Sequence, residues 1–267
     1  MRLCSVLKKK FKQADLRSAA ILGLFVHNGA FHAAFELATR GSVEGLLLQN
    51  LLTPLDKWVV ALHTAKALAQ IHSARIIHLD VAARNLLGYL TTDRKTVFKL
   101  CDFGCSERLP HGKTWVHRPV PALWPSQSAL ETLTAFWVVG AFSDVWQFGV
   151  LLVELFAHGK KMDACLVNNH KDPGANLKAL NEIQTGAKPY VPVAIPAGKH
   201  FSKADYESLF SFPGNAAWKV ENRSVPQKPT PDITALIKLI EDKRPSFAKL
   251  IASLSKEVAD LAAAQKK

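Results

Sequence analysis

Apolar and polar residues alternate in two rhythms along this chain of 267 residues, a short one near the start and a helical one later. Val6, Leu7, Phe11 and Ala14 recur at near-helical spacing with lysines between them, which predicts a helix over residues 4–17. Ile21 to Val26 and Ala30 to Leu37 are short apolar runs on either side of His27-Asn28-Gly29, a turn sequence. They predict two strands joined as a hairpin. Ala38-Thr39-Arg40-Gly41-Ser42 breaks the pattern and is the expected linker.

Longer helices are expected from Pro54 onward. Thr53-Pro54 offers a cap and a first-turn proline, and Leu55, Trp58, Val59, Leu62, Ala65, Ala69 and His72 follow on one helical face. Ile76 to Leu90 and Val97 to Leu100 read as short strands and loops. Ser143 is the expected cap of a helix ending at Gly159 that is apolar nearly all round (Val145, Trp146, Phe148, Val150, Leu151, Leu152, Leu155, Phe156), a pattern that belongs in the centre of a core. Further helices are predicted at Asn176–Gln184 and Asp232–Glu241, and a last one from Ser246. Residues 186–231, rich in proline and aromatics, read as irregular. The expected fold is α+β, with a small strand-bearing lobe over 1–38 and a mainly helical lobe over 39–267.

Composition changes this picture little. The chain is 48% apolar and 21% charged, ordinary for a globular protein, and long enough to bury a core without disulfides or metal. Cys4, Cys101, Cys105 and Cys165 lack paired zinc spacing and read as free thiols in a reducing compartment. Much of the net charge of +12 comes from Arg2, Lys8, Lys9, Lys10, Lys12 and Arg17, with only Asp15 offsetting the run, and from scattered surface lysines. No nucleic-acid motif accompanies it, so a solvated basic face is expected, with weak attraction to acidic membranes as the residual role. No apolar run approaches the roughly 18 residues that span a bilayer. The first residues are too short an apolar stretch for a signal peptide, so a cytoplasmic protein is the expectation.

The segment His78-Leu79-Asp80-Val81-Ala82-Ala83-Arg84-Asn85-Leu86-Leu87 carries the most chemistry. An Asp and an Asn five residues apart on one loop can face one small volume. The carboxylate can accept a hydroxyl proton while the amide oxygen holds a divalent cation. Seventeen residues after Asn85, the strand-like Val97-Phe98-Lys99-Leu100 leads to Asp102-Phe103-Gly104, where the Asp is placed to offer hard oxygen to Mg2+. Either piece alone is weak, but their order and separation together are specific.

These two pieces resemble the catalytic loop and metal-binding loop of protein kinases. Phe142 to Val150 resembles the central buried helix of the kinase large lobe, whose Asp (here Asp144) holds the catalytic-loop backbone. Arg244-Pro245-Ser246-Phe247 resembles the family's late Arg-Pro-x-Phe element. Ala82-Ala83-Arg84-Asn85 and Pro121-Ala122-Leu123-Trp124 are similar to tyrosine-kinase segments, so the resemblance implies phosphoryl transfer from ATP to a protein hydroxyl with Mg2+. It implies Asp80 as base, Arg84 near the phenolic substrate, and Asn85 and Asp102 as metal ligands. It also implies Phe35 as gatekeeper, Glu36-Leu37-Ala38 as the hinge against adenine, and Leu87 as the adenine floor. Leu22 and Phe11 fall where a hydrophobic spine would stack on Phe103 and His78.

Several departures accompany the resemblance. Counted back, the glutamate that should pair the ATP-gripping lysine falls near Leu7, and the lysine and Gly-rich loop fall before Met1. Lys8, Lys9 and Lys10 lie on the predicted helix rather than a strand and are not expected to substitute. In a complete kinase, three further strands cover the apolar residues of 21–37, so an exposed front is expected. Leu79 stands where the family has Arg, and Cys105 to Ser126 holds no Tyr, only Ser106 and Thr114 as hydroxyls before Ser126. Ser126-Gln127-Ser128 replaces Ala-Pro-Glu, so Arg244 is expected either to meet Glu131 or to reach solvent. An active kinase, a pseudokinase scaffold that binds a protein partner, and a remnant acting through basic charge are the three functions compatible with the sequence.

Overall fold

The computed structural model describes residues 15–118, 138–156 and 244–265. The helices expected at 176–184 and 232–241 and the irregular stretch 186–231 lie outside these residues. So does most of the helix expected at 4–17, and its last residues, Leu16 and Arg17, are not helical.

A hairpin comes first. Strand β1 (Ile21–His27) pairs antiparallel with β2 (Ala30–Phe35), with His27 opposite Ala30. Asn28 and Gly29 connect them at φ 51° and 74°, the two left-handed residues of a primed turn that matches strand twist. β2 stops at Phe35 rather than Leu37 because the next rung is incomplete: Glu36 N–H donates to the Ala20 carbonyl at 3.0 Å, but Ala20 N–H donates to the Glu36 side chain at 2.9 Å. The expected exposed front is present: Leu22 is 70% exposed and Phe31 87%.

The segment before the hairpin is tied to the rest of the chain. Arg17 O accepts from Leu100 N–H at 2.7 Å, and Ala19 N–H donates to Leu100 O at 2.8 Å. Gln70 brackets the same segment, accepting from Arg17 N–H and donating to Asp15 O.

The expected linker is more ordered than a break. Gly41–Ser42 form strand β3, paired with Gly88 and Leu87. Ser42 then caps helix α1 (Val43–Leu48), accepting from Gly45 N–H at 3.2 Å. β3, β5 (Leu86–Leu90) and β6 (Thr96–Leu100) make a three-stranded sheet in that order. Gly88 permits the close approach of β3, since a Cβ there would stand 3.0 Å from the Arg40 Cβ.

Helix α2 (Pro54–Ser73) begins with a reciprocal cap, in which Asp56 N–H donates to the Thr53 hydroxyl and Thr53 N–H to the Asp56 carboxylate. The one-face pattern expected for α2 is too narrow. Val60, Ala61, Ala67, Leu68 and Ile71 are buried as well as Trp58, Leu62 and Ala65, because α2 is packed on several sides. Around it lie β6, helix α3 (Ala141–Phe156) and helix α4 (Phe247–Ala264). Leu68, Ile71, Leu86, Leu100, Phe148 and Leu155 form the centre of one core, each contributing about 1.5–3 kcal/mol by burial.

The α3 start also departs from expectation. The helix opens at Ala141, two residues before Ser143, directly out of strand β9 (Val138–Gly140). Ser143 is therefore inside the first turn, fully buried, and accepts from Gly140 N–H at 3.3 Å. Ser246 does cap α4, accepting from Lys249 N–H. The short pairs β4 (Ile76–Ile77) with β7 (Glu107–Arg108), and β8 (Trp115–His117) with β9, close the loops around residues 78–118.

Candidate active site

The loop between β4 and β5 is held from below by α3. Asp144 is fully buried, and its carboxylate accepts from His78 N–H and Leu79 N–H at 2.8 Å each. His72 Nε2 lies 2.7 Å from the same carboxylate. Gln147, one turn on, accepts from Val81 N–H at 2.9 Å and donates to the Leu79 carbonyl at 2.9 Å. Four backbone groups of the loop thus answer to two α3 side chains. This clamp holds Leu79 at φ +65° although a branched, buried side chain resists that conformation.

His78 anchors the loop from the other side. Its Nε2 lies 3.0 Å from the Cys101 carbonyl, its Nδ1 accepts from Asp80 N–H at 3.3 Å, and its ring meets Phe103 edge-on at 5.0 Å. Burial pushes its pKa below the usual imidazole value and outweighs the nearby Asp144 charge. The expected spine continues no further among the described residues: Leu22, 70% exposed, is not packed into it, because the hairpin surface around it is uncovered. Phe11 lies outside the described residues.

Asp80, Arg84 and Asn85 form one unit. Arg84 donates to Asp80 Oδ1, while Asn85 Nδ2 donates to Asp80 Oδ2 at 2.7 Å and to the Asp80 carbonyl at 2.8 Å. The 3-10 turn Ala83–Asn85 brings these groups round to one side. Because the Asn85 NH2 is committed to Asp80, its Oδ1 is left as an acceptor for a ligand. Asp102 stands next to this unit through the backbone, since Cys101 N–H donates to the Asn85 carbonyl at 2.9 Å. Burial, with the charges of Asp102 and Asp80, raises the Cys101 thiol to about 11. Cys101 and Cys105 are free thiols. Asp102 itself is exposed at φ +58°, its Oδ1 accepting from Gly104 N–H at 3.1 Å.

The hinge and floor candidates lie at the end of β2, in the turn after it and on β5. Leu87 lies opposite Lys99 across β5 and β6 and is partly buried. Phe35 is half exposed, and Ala38 turns the chain, its carbonyl accepting from Gly41 N–H at 3.1 Å. Glu36 points its carboxylate inward, where Lys99 Nζ reaches both oxygens at 2.7 and 2.8 Å and Ala20 N–H donates to Oε1 at 2.9 Å.

Of the two courses expected of Arg244, the described residues test the one toward solvent, and Arg244 does not take it. It stays buried, donates from Nη1 to the Phe142 carbonyl at 2.7 Å, and lies over the Trp146 ring, so it does not reach solvent. Glu131 and the Pro121–Trp124 segment lie outside the described residues. Sequence reasoning missed His72, Gln147 and Lys99. The first two could have been found from helical spacing, one turn from the loop in α2 and one turn past Asp144 in α3.

A two-lobed α+β architecture with this Asp–Arg–Asn loop, an Asp-Phe-Gly turn and a buried helix Asp beneath them defines the protein-kinase class. A family model described as protein tyrosine and serine/threonine kinase matches residues 7–193, and the chain belongs to that family. It is similar to the mouse megakaryocyte-associated tyrosine-protein kinase, 28% identical over 187 residues, covering 67% of this chain and 32% of that protein. It is also similar to the Fer-related kinase 1 of Caenorhabditis elegans, 27% identical over 188 residues, covering 69% of this chain and 43% of the relative. A third relative, the inactive tyrosine-protein kinase kin-32 of the same worm, is 27% identical over 245 residues, 90% of this chain and 24% of its own length. The chain therefore spans less than half the length of these relatives. It is a tyrosine-kinase-like domain, and kinases as a family use ATP and Mg2+.

Proposed function

We propose that this domain holds Mg2+-bound ATP in the cleft between the Glu36–Ala38 hinge and the Asp80–Asn85 loop. There it presents a protein tyrosine hydroxyl to Asp80. The observation that carries the proposal is the Asp80–Arg84–Asn85 unit. Asp80 keeps a carboxylate oriented by two donors, as a positioned proton acceptor requires. Asn85 Oδ1 and the Asp102 carboxylate supply hard oxygen, and Mg2+ commonly takes one or two such ligands and completes its shell with phosphate and water. Leu87, with the hinge backbone and Phe35, would bracket the adenine. When bound, the metal neutralises phosphate charge; the chain's own residues orient the acceptor and receive its proton.

Nucleotide binding by the described residues is expected to be weak. Their lysine–glutamate ion pair, Lys99–Glu36, lies at the hinge and leaves the phosphates without that grip. The test is phosphate transfer from labelled ATP to a Glu/Tyr copolymer. A slow, Mg2+-dependent signal is expected, lowered at least about a hundredfold in Asp80→Asn. Transfer that survives Asp80→Asn unchanged removes Asp80 from the chemistry.

A second function, a pseudokinase scaffold for a protein partner, is favoured by the uncovered hairpin. Leu22, Leu24, Val26 and Phe31 are all more than half exposed. The likeness to an inactive kinase over 90% of the chain supports it as well. Under this function the domain still binds nucleotide but transfers no phosphate above the Asp80→Asn background. No specific nucleic-acid role is proposed. No helix among the described residues is long and apolar enough to cross a membrane, and a cytoplasmic site of action is part of the proposal.

A further inference from the structure

The Glu36 carboxylate belongs to the hinge by position but does not face solvent. It accepts two hydrogen bonds from Lys99 Nζ, at 2.7 and 2.8 Å, and one from Ala20 N–H at 2.9 Å, while its own N–H donates to Ala20 O. Both ionic side chains are about four-fifths buried. Lys99 Nζ also lies 4.7 Å from the centre of the Tyr89 ring, whose hydroxyl is buried without a hydrogen-bond partner. An ammonium so placed has three donors and two of its directions fixed by one carboxylate.

The strand register makes this pair more than a surface ion pair. Lys99 stands directly opposite Leu87, and residues opposite each other across an antiparallel pair project on the same face. Tyr89, two residues on, shares that face. One lysine therefore stands beside the adenine-floor position and reaches across to the first residue of the hinge. Behind it β6 is fixed by Leu100, bonded to Arg17 and Ala19 in the segment that leads to Ala20. The hinge, the floor strand and the segment before β1 meet at this single charge.

We propose that Lys99 is a positioning residue for nucleotide recognition: through Glu36 it sets the distance between the hinge backbone and Leu87, and so the width of the slot that takes the purine ring. The proposal deepens the nucleotide function above and rests on it. Lys99 touches the base through neither of its partners; it acts on Glu36, whose neighbours offer the backbone groups.

The experiment compares ATP–Mg2+ with tripolyphosphate–Mg2+ by titration calorimetry of the whole chain, in wild type, Lys99→Met, Lys99→Arg, Glu36→Gln and the double variant Lys99→Met with Glu36→Gln. Lys99→Met and Glu36→Gln are expected to weaken ATP binding about tenfold each, with no further loss when combined, because they break one interaction. Lys99→Arg, which can still fork onto the carboxylate, is expected to recover most of the affinity. Tripolyphosphate, which has no ring to seat, is expected to bind all five proteins alike. A purely structural role would lower both ligands together, and that result overturns the proposal. Equal ATP affinity in wild type and Lys99→Met overturns it too, while leaving nucleotide binding intact. Absence of any ATP response in wild type removes the nucleotide function, and this inference with it. Should Lys99→Met lose its helical circular dichroism, the Glu36→Gln and Lys99→Arg pair carries the same test.

Discussion

Leu79 shows how single residues are held in conformations their chemistry resists. It occupies the left-handed region while buried, at a cost of about 1–2 kcal/mol, because Asp144 receives its N–H and Gln147 donates to its carbonyl. Asp144→Asn sets an NH2 against one of the loop N–H donors. It is expected to cost about 3 kcal/mol, read as a lower urea midpoint with an unchanged slope. An unshifted midpoint would mean the clamp contributes nothing. His63 offers a pH test. Burial, reinforced by Arg17 and Lys66, lowers its pKa to about 3, and its neutral Nδ1 accepts from Phe98 N–H at 3.2 Å. The folded pKa lies below the unfolded value, so the stabilisation is complete above about pH 6.5 and is lost as pH falls toward 3. Stability is expected to drop on the order of a few kcal/mol across that window, and less steeply in His63→Gln, whose amide oxygen can still accept. Of the site, Asp80, Arg84, Asn85 and Asp102 were legible because their chemistry lies in short local spacings. Lys99 was not: its partner Glu36 is 63 positions away, and a lysine on a short strand has no sequence signal for that reach.

Among the elements, those governed by neighbours in sequence were readable. The Asn28-Gly29 turn and the Thr53 cap follow from local backbone needs, and both stand as expected, the cap with Asp56 as an added partner. Elements decided by distant packing were not. β3 pairs with β5 because Gly88 leaves room for Arg40 just before it, and α1 follows from the Ser42 cap that this pairing positions. α2 is buried on more faces than its pattern suggests because small residues, Ala61, Ala65 and Ala67, admit neighbours closely. Leu68→Ala in this helix is expected to cost about 2–5 kcal/mol, measured by denaturant titration. The β1–β2 hairpin is the opposite case: two strands with large apolar groups in water are marginal alone. Amides of 21–35 are expected to exchange at least about a hundredfold faster than those of α3. Equal protection in dilute protein would contradict this, and protection that rises with protein concentration would favour the scaffold function.

At the scale of the whole molecule, charge and cleft pull toward different tests. The net charge of +12 is expected to give weak attraction to acidic lipid vesicles, lost at about 0.5 M salt, where the screening length falls to a few ångströms. Binding that persists there would require a built site rather than diffuse charge. The central claim is narrower: the Asn85–Asp102 oxygens and the hinge together form a nucleotide site that works only with Mg2+. Thermal denaturation of the chain in an ATP series, with and without Mg2+, tests it most directly. The account predicts stabilisation that grows through the millimolar range with Mg2+, in the form of a single-site isotherm, and that is abolished in Asp102→Asn. A response identical with and without Mg2+, or one unchanged in Asp102→Asn, would contradict it.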